Sequence, residues 1–286
     1  MARHLVFSRL EVMTSDQERL AGYVDTWTHA VDDVVLLLRD LTEEDWTRPT
    51  DLAGWDVRAV AAHLAHLESD LCGVEQTEVD VPELEHLTAP SARYTETGRI
   101  AREPLSSQEI VEELVIAVRA RSAELRSDPP TDGSALPPIT PGGVPWDWET
   151  MLRNRPLDIW MHEQDIRRAV GRPGGMNSAA AKHTVRVLTM GFPFVVGKRV
   201  APPAGTTVVL DVTGIHPVHL ALEINEQGRA VPSMSAPEHP TVSLQMDVET
   251  FVLLAGGRRA PDELPVIVTG DRQLGKRILA SMGVTP

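Results

Sequence analysis

A chain of 286 residues exceeds the roughly 250-residue limit of a single hydrophobic core, and 42% hydrophobic with 24% charged residues excludes a disordered, collagen-like or fibrous protein, so two globular domains are expected. Lys and Arg number 27 against 41 Asp and Glu, a formal charge of −14 that disfavours electrostatic capture of nucleic acid or anionic lipid. The single cysteine, Cys72, excludes an internal disulfide, a multi-cysteine zinc finger and an iron–sulfur cluster, which leaves any metal chemistry to His, Asp and Glu.

Met1 to Phe7 has neither an apolar h-region nor a small-residue cleavage site, so a cytoplasmic location is expected. No membrane span is expected either, because the best apolar run, Val31 to Leu38, begins Val31-Asp32-Asp33. Ser15 and Glu18 form a capping-box pair, and Leu20, Val24, Trp27, Val31, Val34, Val35, Leu38 and Leu41 recur at the spacing of a long first helix. Thr42 to Trp55 reads as a connection rich in turn residues. Asp56 then caps a second helix whose apolar stripe is Val57, Val60, Ala61, Leu64, Leu67 and Leu71. The acidic, proline-bearing segment from Glu75 to Glu103 reads as a long loop. Ser106 and Glu109 open a third helix that Asp128-Pro129-Pro130 closes. Prolines and glycines crowd residues 128–145, a loop or lid leading into a fourth helix near Trp146 that runs to Val170 and stops at Gly171. Ser178 to Val200 predicts a fifth helix, or two short ones around Pro193.

From Gly205 the period changes. Thr207 to Val212, Val218 to Ile224, Thr241 to Met246 and Leu264 to Val268 are short β-branched runs, interleaved with short helices at Val248 to Ala255 and Arg272 to Met282. The expected fold is therefore α+β in two domains, a helical one over 1–202 and an α+β one over 203–286, with Pro202-Pro203 in the linker.

On a helical wheel His63 falls at the edge of the second helix's apolar stripe and points partly inward, whereas His66 falls outside it and reads as solvated. On the fourth helix Asp158, His162 and Asp165 stand at i, i+4 and i+7, on a flank shared with Ile159, Ile166 and Val170. A carboxylate facing a core costs several kcal/mol unless its charge is neutralised. Two readings stay open: carboxylate-x3-His offers oxygen and nitrogen ligands to one ion, with His63 as third ligand and an open fourth position, or Asp158 and His162 are a hydrogen-bonded pair on a helix surface. Asp165 is either an acceptor behind a ligand histidine or a partner for Arg168. Cys72 shows no neighbouring base and reads as structural.

Gly54-Trp55-Asp56-Val57-Arg58-Ala59-Val60-Ala61-Ala62-His63-Leu64, and the later run from Asp158 through His162 and Gly171 to Pro173, resemble the mycothiol-dependent maleylpyruvate isomerase family of actinobacteria. Phe251 to Arg259, Val268 to Leu274 and the terminal Thr285-Pro286 extend the likeness over nearly the whole chain. The resemblance implies a DinB-like four-helix metal-binding domain followed by a small α+β domain similar to sterol carrier protein modules. It implies a metal, zinc above all, held by His63, Asp158 and His162; Asp158 stands where the family more often has Glu, one methylene longer. It also implies mycothiol as cofactor and a catalytic arginine in the C-terminal domain, for which Arg258, Arg259 and Arg272 are the candidates, although an arginine in such a place is more often a surface charge.

Zinc bound by two imidazoles and a carboxylate lowers the pKa of an incoming thiol, and a thiolate adds to an activated double bond; elimination after rotation gives a cis–trans isomer, retention a conjugate. The expected partners are thus a small thiol and a small electrophile. The alternatives are a non-enzymatic metal-binding or small-ligand-binding protein and a metal hydrolase or oxygenase on the same scaffold.

Overall fold

The computed structural model describes residues 15–82, 90–233 and 237–285. The leader reading at Met1 to Phe7 and the final Pro286 lie outside them. Helix α1 (Asp16–Arg39) starts at the expected capping pair, Ser15 Oγ accepting from the Glu18 amide at 3.2 Å, and buries Leu20, Val24, Trp27, Val31 and Val34. The segment after it is partly helical: α2 (Glu43–Trp46) is a single turn built on a capping box between Thr42 and Asp45. Asp56 caps α3 (Val57–Leu71), accepting from the Ala59 amide at 2.8 Å.

The expected loop from Glu75 to Glu103 needs correction, because α4 (Pro90–Ala101) lies within it, while its residues 83–89 fall outside the described set. Pro90 at the first helical position is the overlooked start signal. Gly98 is what lets α4 approach α3, since a Cβ there would stand 2.1 Å from the His66 ring. α5 (Ser107–Ser127) and α6 (Trp148–Val170) match their expected spans, α6 opening on Asp147 and closing at Gly171 in the left-handed conformation. α7 (Ala179–Phe194) passes into a π-helical turn, Val195–Val200, just after Pro193.

The C-terminal strands β1 (Thr207–Thr213), β2 (Val218–Ile224), β3 (Ala230–Pro232), β4 (Val242–Asp247) and β5 (Ile267–Gly270) form a mixed sheet in the order β3-β2-β1-β4-β5, in which only β1 and β4 run parallel. α8 (Val248–Ala255) crosses between β4 and β5, and α9 (Arg272–Ala280) follows β5. β3, three residues ending in proline on the sheet edge, carried no strand signal. β5 begins two residues beyond Pro265, which lacks the amide a ladder needs. The architecture is two-domain α+β, a helical N-terminal region followed by a small mixed sheet with helices. No helix among the described residues is long and apolar enough to cross a membrane.

By compactness the chain divides into one unit of residues 1–35 and 62–156 and another of 36–61 and 157–286. The first holds a buried charge cluster. Glu68, fully buried on α3, accepts from Trp27 Nε1 at 3.0 Å, from Arg155 Nε and Nη2 at 3.0 and 2.9 Å, and from Arg121 Nη1 at 3.3 Å. Arg121 also lies over the Trp27 ring. The second unit buries β1 and β4 under α8, whose Phe251, Val252 and Leu254 are inaccessible to solvent.

Candidate metal centre

Residues 48–57 form a tight turn that prepares one wall of the site. Pro49 and Asp56 pair as a β-bridge, Thr50 donates from both its amide and its Oγ1 to the Trp55 carbonyl, and Gly54 takes φ of +79°, a conformation that strains any residue with a side chain. The turn delivers Trp55 onto the imidazole of His162, ring centroids 6.4 Å apart and nearly parallel, and it aims Asp51 at α6.

His162 is buried on α6, with Asp158 one turn earlier and half-buried. Its Nε2 stands 3.6 Å from Asp158 Oδ1, and its Nδ1 stands 3.2 Å from Asp165 Oδ2. His63, the third expected ligand, is buried on α3. Two donors about 2.1 Å from a shared ion are separated by at most about 4.2 Å, so the 3.6 Å pair of Asp158 and His162 fits a shared ion. Two imidazole nitrogens and one carboxylate oxygen are a donor set suited to zinc and to other first-row divalent metals. The shorter aspartate therefore still reaches the histidine whose ion it would share.

Asp165 is wholly buried yet ionised. Burial is the largest influence on it and pushes its pKa up, but the His162 hydrogen bond and the neighbouring Arg258 charge outweigh that and hold it at about 2. An ionised carboxylate only accepts, so His162 must donate from Nδ1, which leaves Nε2 as the lone-pair nitrogen facing Asp158. The two readings of Asp165 thus coexist: its Oδ1 also accepts from Arg168 Nη2 at 2.6 Å.

The three candidate arginines separate. Arg258, almost fully buried, reaches Asp165 with Nε (3.1 and 3.2 Å) and Nη2 (3.0 Å) and donates from Nη1 to the Gly256 carbonyl at 2.7 Å. Arg259 is half-exposed and holds Asp51 at 2.9 and 2.6 Å, and Arg168 Nε holds the same carboxylate at 2.5 Å. Arg272 is exposed at the start of α9, and among the described residues no hydrogen bond links it to this group. Asp51 and Trp55 were given no role from sequence. The signal available was the Asp-x-x-Gly-Trp turn immediately before the second helix.

His66 needs correction: it is buried, with Nδ1 2.9 Å from Gln76 Oε1 and its ring against Tyr94, and burial lowers its pKa. The wheel failed there because it saw one neighbouring layer, whereas α4 covers the opposite flank of α3. Cys72 is half-buried, donates to the Ala117 carbonyl at 2.9 Å, and burial raises its pKa, the opposite of an activated thiol.

Comparison with known proteins identifies the family. Residues 24–167 match the family model of the mycothiol maleylpyruvate isomerase N-terminal domain, and residues 182–277 match that of the C-terminal domain of the same family. Among solved structures the chain is similar to a mycothiol-dependent maleylpyruvate isomerase at 17% identity and a TM-score of 0.55, and to a histidine-to-alanine mutant of a mycothiol-dependent maleylpyruvate isomerase at 17% and 0.53; each alignment covers 90% of this chain and 96% of the other, a likeness of fold. No curated protein sequence matches it significantly. With both of its domain models matched in order along most of its length, the chain belongs to the mycothiol-dependent maleylpyruvate isomerase family.

Proposed function

We propose that the protein is a metal-dependent isomerase that uses mycothiol on a small unsaturated electrophile of the maleylpyruvate kind. The observation that supports this most is the Asp158–His162 pair, 3.6 Å apart on one helix, which with the buried His63 gives three candidate ligands on a chain whose family is named for a mycothiol-dependent isomerase. These three residues would hold one divalent cation, for which zinc is the best match of donor chemistry. Such a cation supplies Lewis acidity at an open position, where a thiol sulfur ionises near neutral pH.

The chain's own residues prepare that position. Asp165 fixes the tautomer of His162 and so directs Nε2 at Asp158, while the stacked Trp55 ring limits rotation of the imidazole and shields that face from water. Asp158 contributes negative charge, which keeps the site's net charge low when a cation and a thiolate share it. Cys72, its thiol protonated, takes no part, so the sulfur nucleophile is supplied from outside the protein. The reading includes a cytoplasmic setting, where a small thiol stays reduced, and a division of the sequence near residue 202.

Metal analysis of protein purified without an affinity tag tests it. About one zinc per chain, lost in both His63→Ala and Asp158→Ala, is the expected result, followed by thiol-dependent isomerisation in the wild type only. A folded wild type that takes up no divalent metal refutes the proposal, and iron in place of zinc shifts the chemistry to an oxygenase.

A further inference from the structure

We propose that Arg258 is a positioning residue for the metal ligand His162, acting through Asp165. The inference rests on the reading of His162 as a ligand given above. Its basis is the commitment of every nitrogen of the guanidinium: Nε and Nη2 lie on Asp165, and Nη1 lies on the Gly256 carbonyl. The Nε and Nη2 edge of the guanidinium is thus taken up by Asp165, and releasing it would leave that carboxylate fully buried beside a histidine that depends on it.

The backbone around Arg258 is built for this one placement. α8 ends at Gly256, where a Cβ would stand 2.3 Å from Met161 Cε on α6 and 2.8 Å from the Val252 carbonyl oxygen, so any larger residue would force a local shift. Gly257 follows with φ of +66° and turns the chain so that the next side chain aims at α6. The chain terminus fastens the same turn, Thr285 Oγ1 donating to the Gly256 carbonyl at 2.9 Å and the Val284 amide to the Ala255 carbonyl at 2.8 Å. Asp165 in turn has each oxygen shared between two donors: Oδ1 takes Arg168 and Arg258, and Oδ2 takes His162 and Arg258. Removing Arg258 withdraws donors from both oxygens and frees the carboxylate to swing toward Arg168, away from His162. The ladder continues outward from Arg168 to Asp51 and Arg259, so a segment 93 residues beyond Asp165 in sequence sets the orientation of a metal-binding imidazole.

The experiment measures zinc affinity by competition with a chromophoric chelator, on the full-length chain at a temperature well below unfolding. The wild type is compared with His162→Ala, Arg258→Ala, Arg258→Lys, Asp165→Asn and the Arg258→Ala/Asp165→Asn double variant. Loss of a partner behind a ligand histidine typically weakens metal binding about 10- to 100-fold, and that loss is expected for Arg258→Ala. Arg258→Lys should recover part of it by restoring one charged donor, and the double variant should bind zinc no more weakly than Asp165→Asn alone, because both changes break the same path. A residue that only stabilises the fold would give neither the partial rescue nor the non-additivity. If the wild type binds zinc, His162→Ala abolishes it and Arg258→Ala binds as tightly as wild type, the proposal is overturned while the metal site stands. If the wild type itself takes up no zinc, the metal reading falls and the inference falls with it. Should Arg258→Ala fail to fold, Asp165→Asn carries the test, and unchanged affinity in that variant overturns the proposal equally.

Discussion

Replacing Glu68 with Gln isolates the electrostatic part of the helical unit's buried cluster, because the side chain keeps its shape and loses only its charge. Glu68 is completely buried and is a hydrogen-bond acceptor for two guanidiniums, of Arg121 and Arg155, themselves 3% and 2% exposed. In Glu68→Gln one amide oxygen can still serve Arg155, but the amide nitrogen then faces Arg121 Nη1 across the present 3.3 Å, donor against donor. Two positive charges are left in a dry interior with the charge of Glu68 gone. Breaking a buried ion pair from one side costs about 3 to 5 kcal/mol, equivalent to a fall in Tm of roughly 6 to 20 °C for a chain of this size. Arg121 is only partly compensated: burial, the largest influence, pushes its pKa down, and the charge of Glu68 only partly opposes that. Arg121→Met, which fills similar volume without a charge, should therefore cost little alone, and in the Glu68→Gln background it should restore at least about 1 kcal/mol. Urea unfolding of the four proteins, followed by tryptophan fluorescence and far-UV circular dichroism, closes the double-mutant cycle. A Glu68→Gln protein within about 1 kcal/mol of wild type, or no recovery on adding Arg121→Met, would refute the electrostatic account and leave packing as the cluster's role.

Burial lowers the His66 pKa, so the folded state resists a proton that the unfolded chain accepts near 6.5. Stability contributed by neutral His66 is therefore complete above pH 6.5 and declines as pH falls below it, and the wild type should lose stability across that range faster than His66→Gln; parallel pH–stability curves would contradict this. Asp165 gives the opposite window: with its pKa lowered from 3.8 to about 2, its stabilisation is complete above pH 4 and is lost on acidification toward pH 2. At about 1.4 kcal/mol per pH unit, the stability gap between wild type and Asp165→Asn should shrink by roughly 2 kcal/mol over that interval in metal-free protein, and a gap that stays constant would show that Asp165 is not ionised. Gly98→Ala, which in an open helix would gain up to about 1 kcal/mol, should instead cost about 2 kcal/mol or more, since its Cβ would sit 2.1 to 2.6 Å from His66; a more stable variant by thermal denaturation would refute the contact.

Much of the site is local in sequence, and that part was legible. Asp158, His162 and Asp165 share a flank because of helical periodicity alone, and the Gly-Trp turn and cap before His63 are encoded within a dozen residues. The capping boxes at Ser15 and Ser106 and the glycine stop at Gly171 fixed helix ends for the same reason: each is a hydrogen-bonding need met by neighbours three or four residues away. α4 was illegible because its only strong local signals are Pro90 and a glycine, Gly98, and a glycine inside a helix argues against the helix unless its tertiary partner is known. That partner, His66, was misassigned for a related reason, since a wheel drawn for one buried face cannot register a second helix covering the other.

The arginines show where pattern reading ends. Arg258 and Arg259 are adjacent and alike in sequence, and either is most often a surface charge. Their difference comes from the Gly256-Gly257 turn, which sends one guanidinium into contact with a buried aspartate and leaves the other half-exposed on Asp51. The requirement can be read in reverse, from the other end of the contact. Asp165 lies on an apolar flank and must be neutralised by something, and its nearest helical partner, Arg168, also serves Asp51, so part of its charge had to be met from elsewhere in the chain. A buried carboxylate with too few local donors is thus a sequence-level signal for a distant cation. Which cation answers depends on backbone geometry: here, on Gly256, which packs close to Met161 of α6, and on Gly257, whose φ of +66° turns the chain.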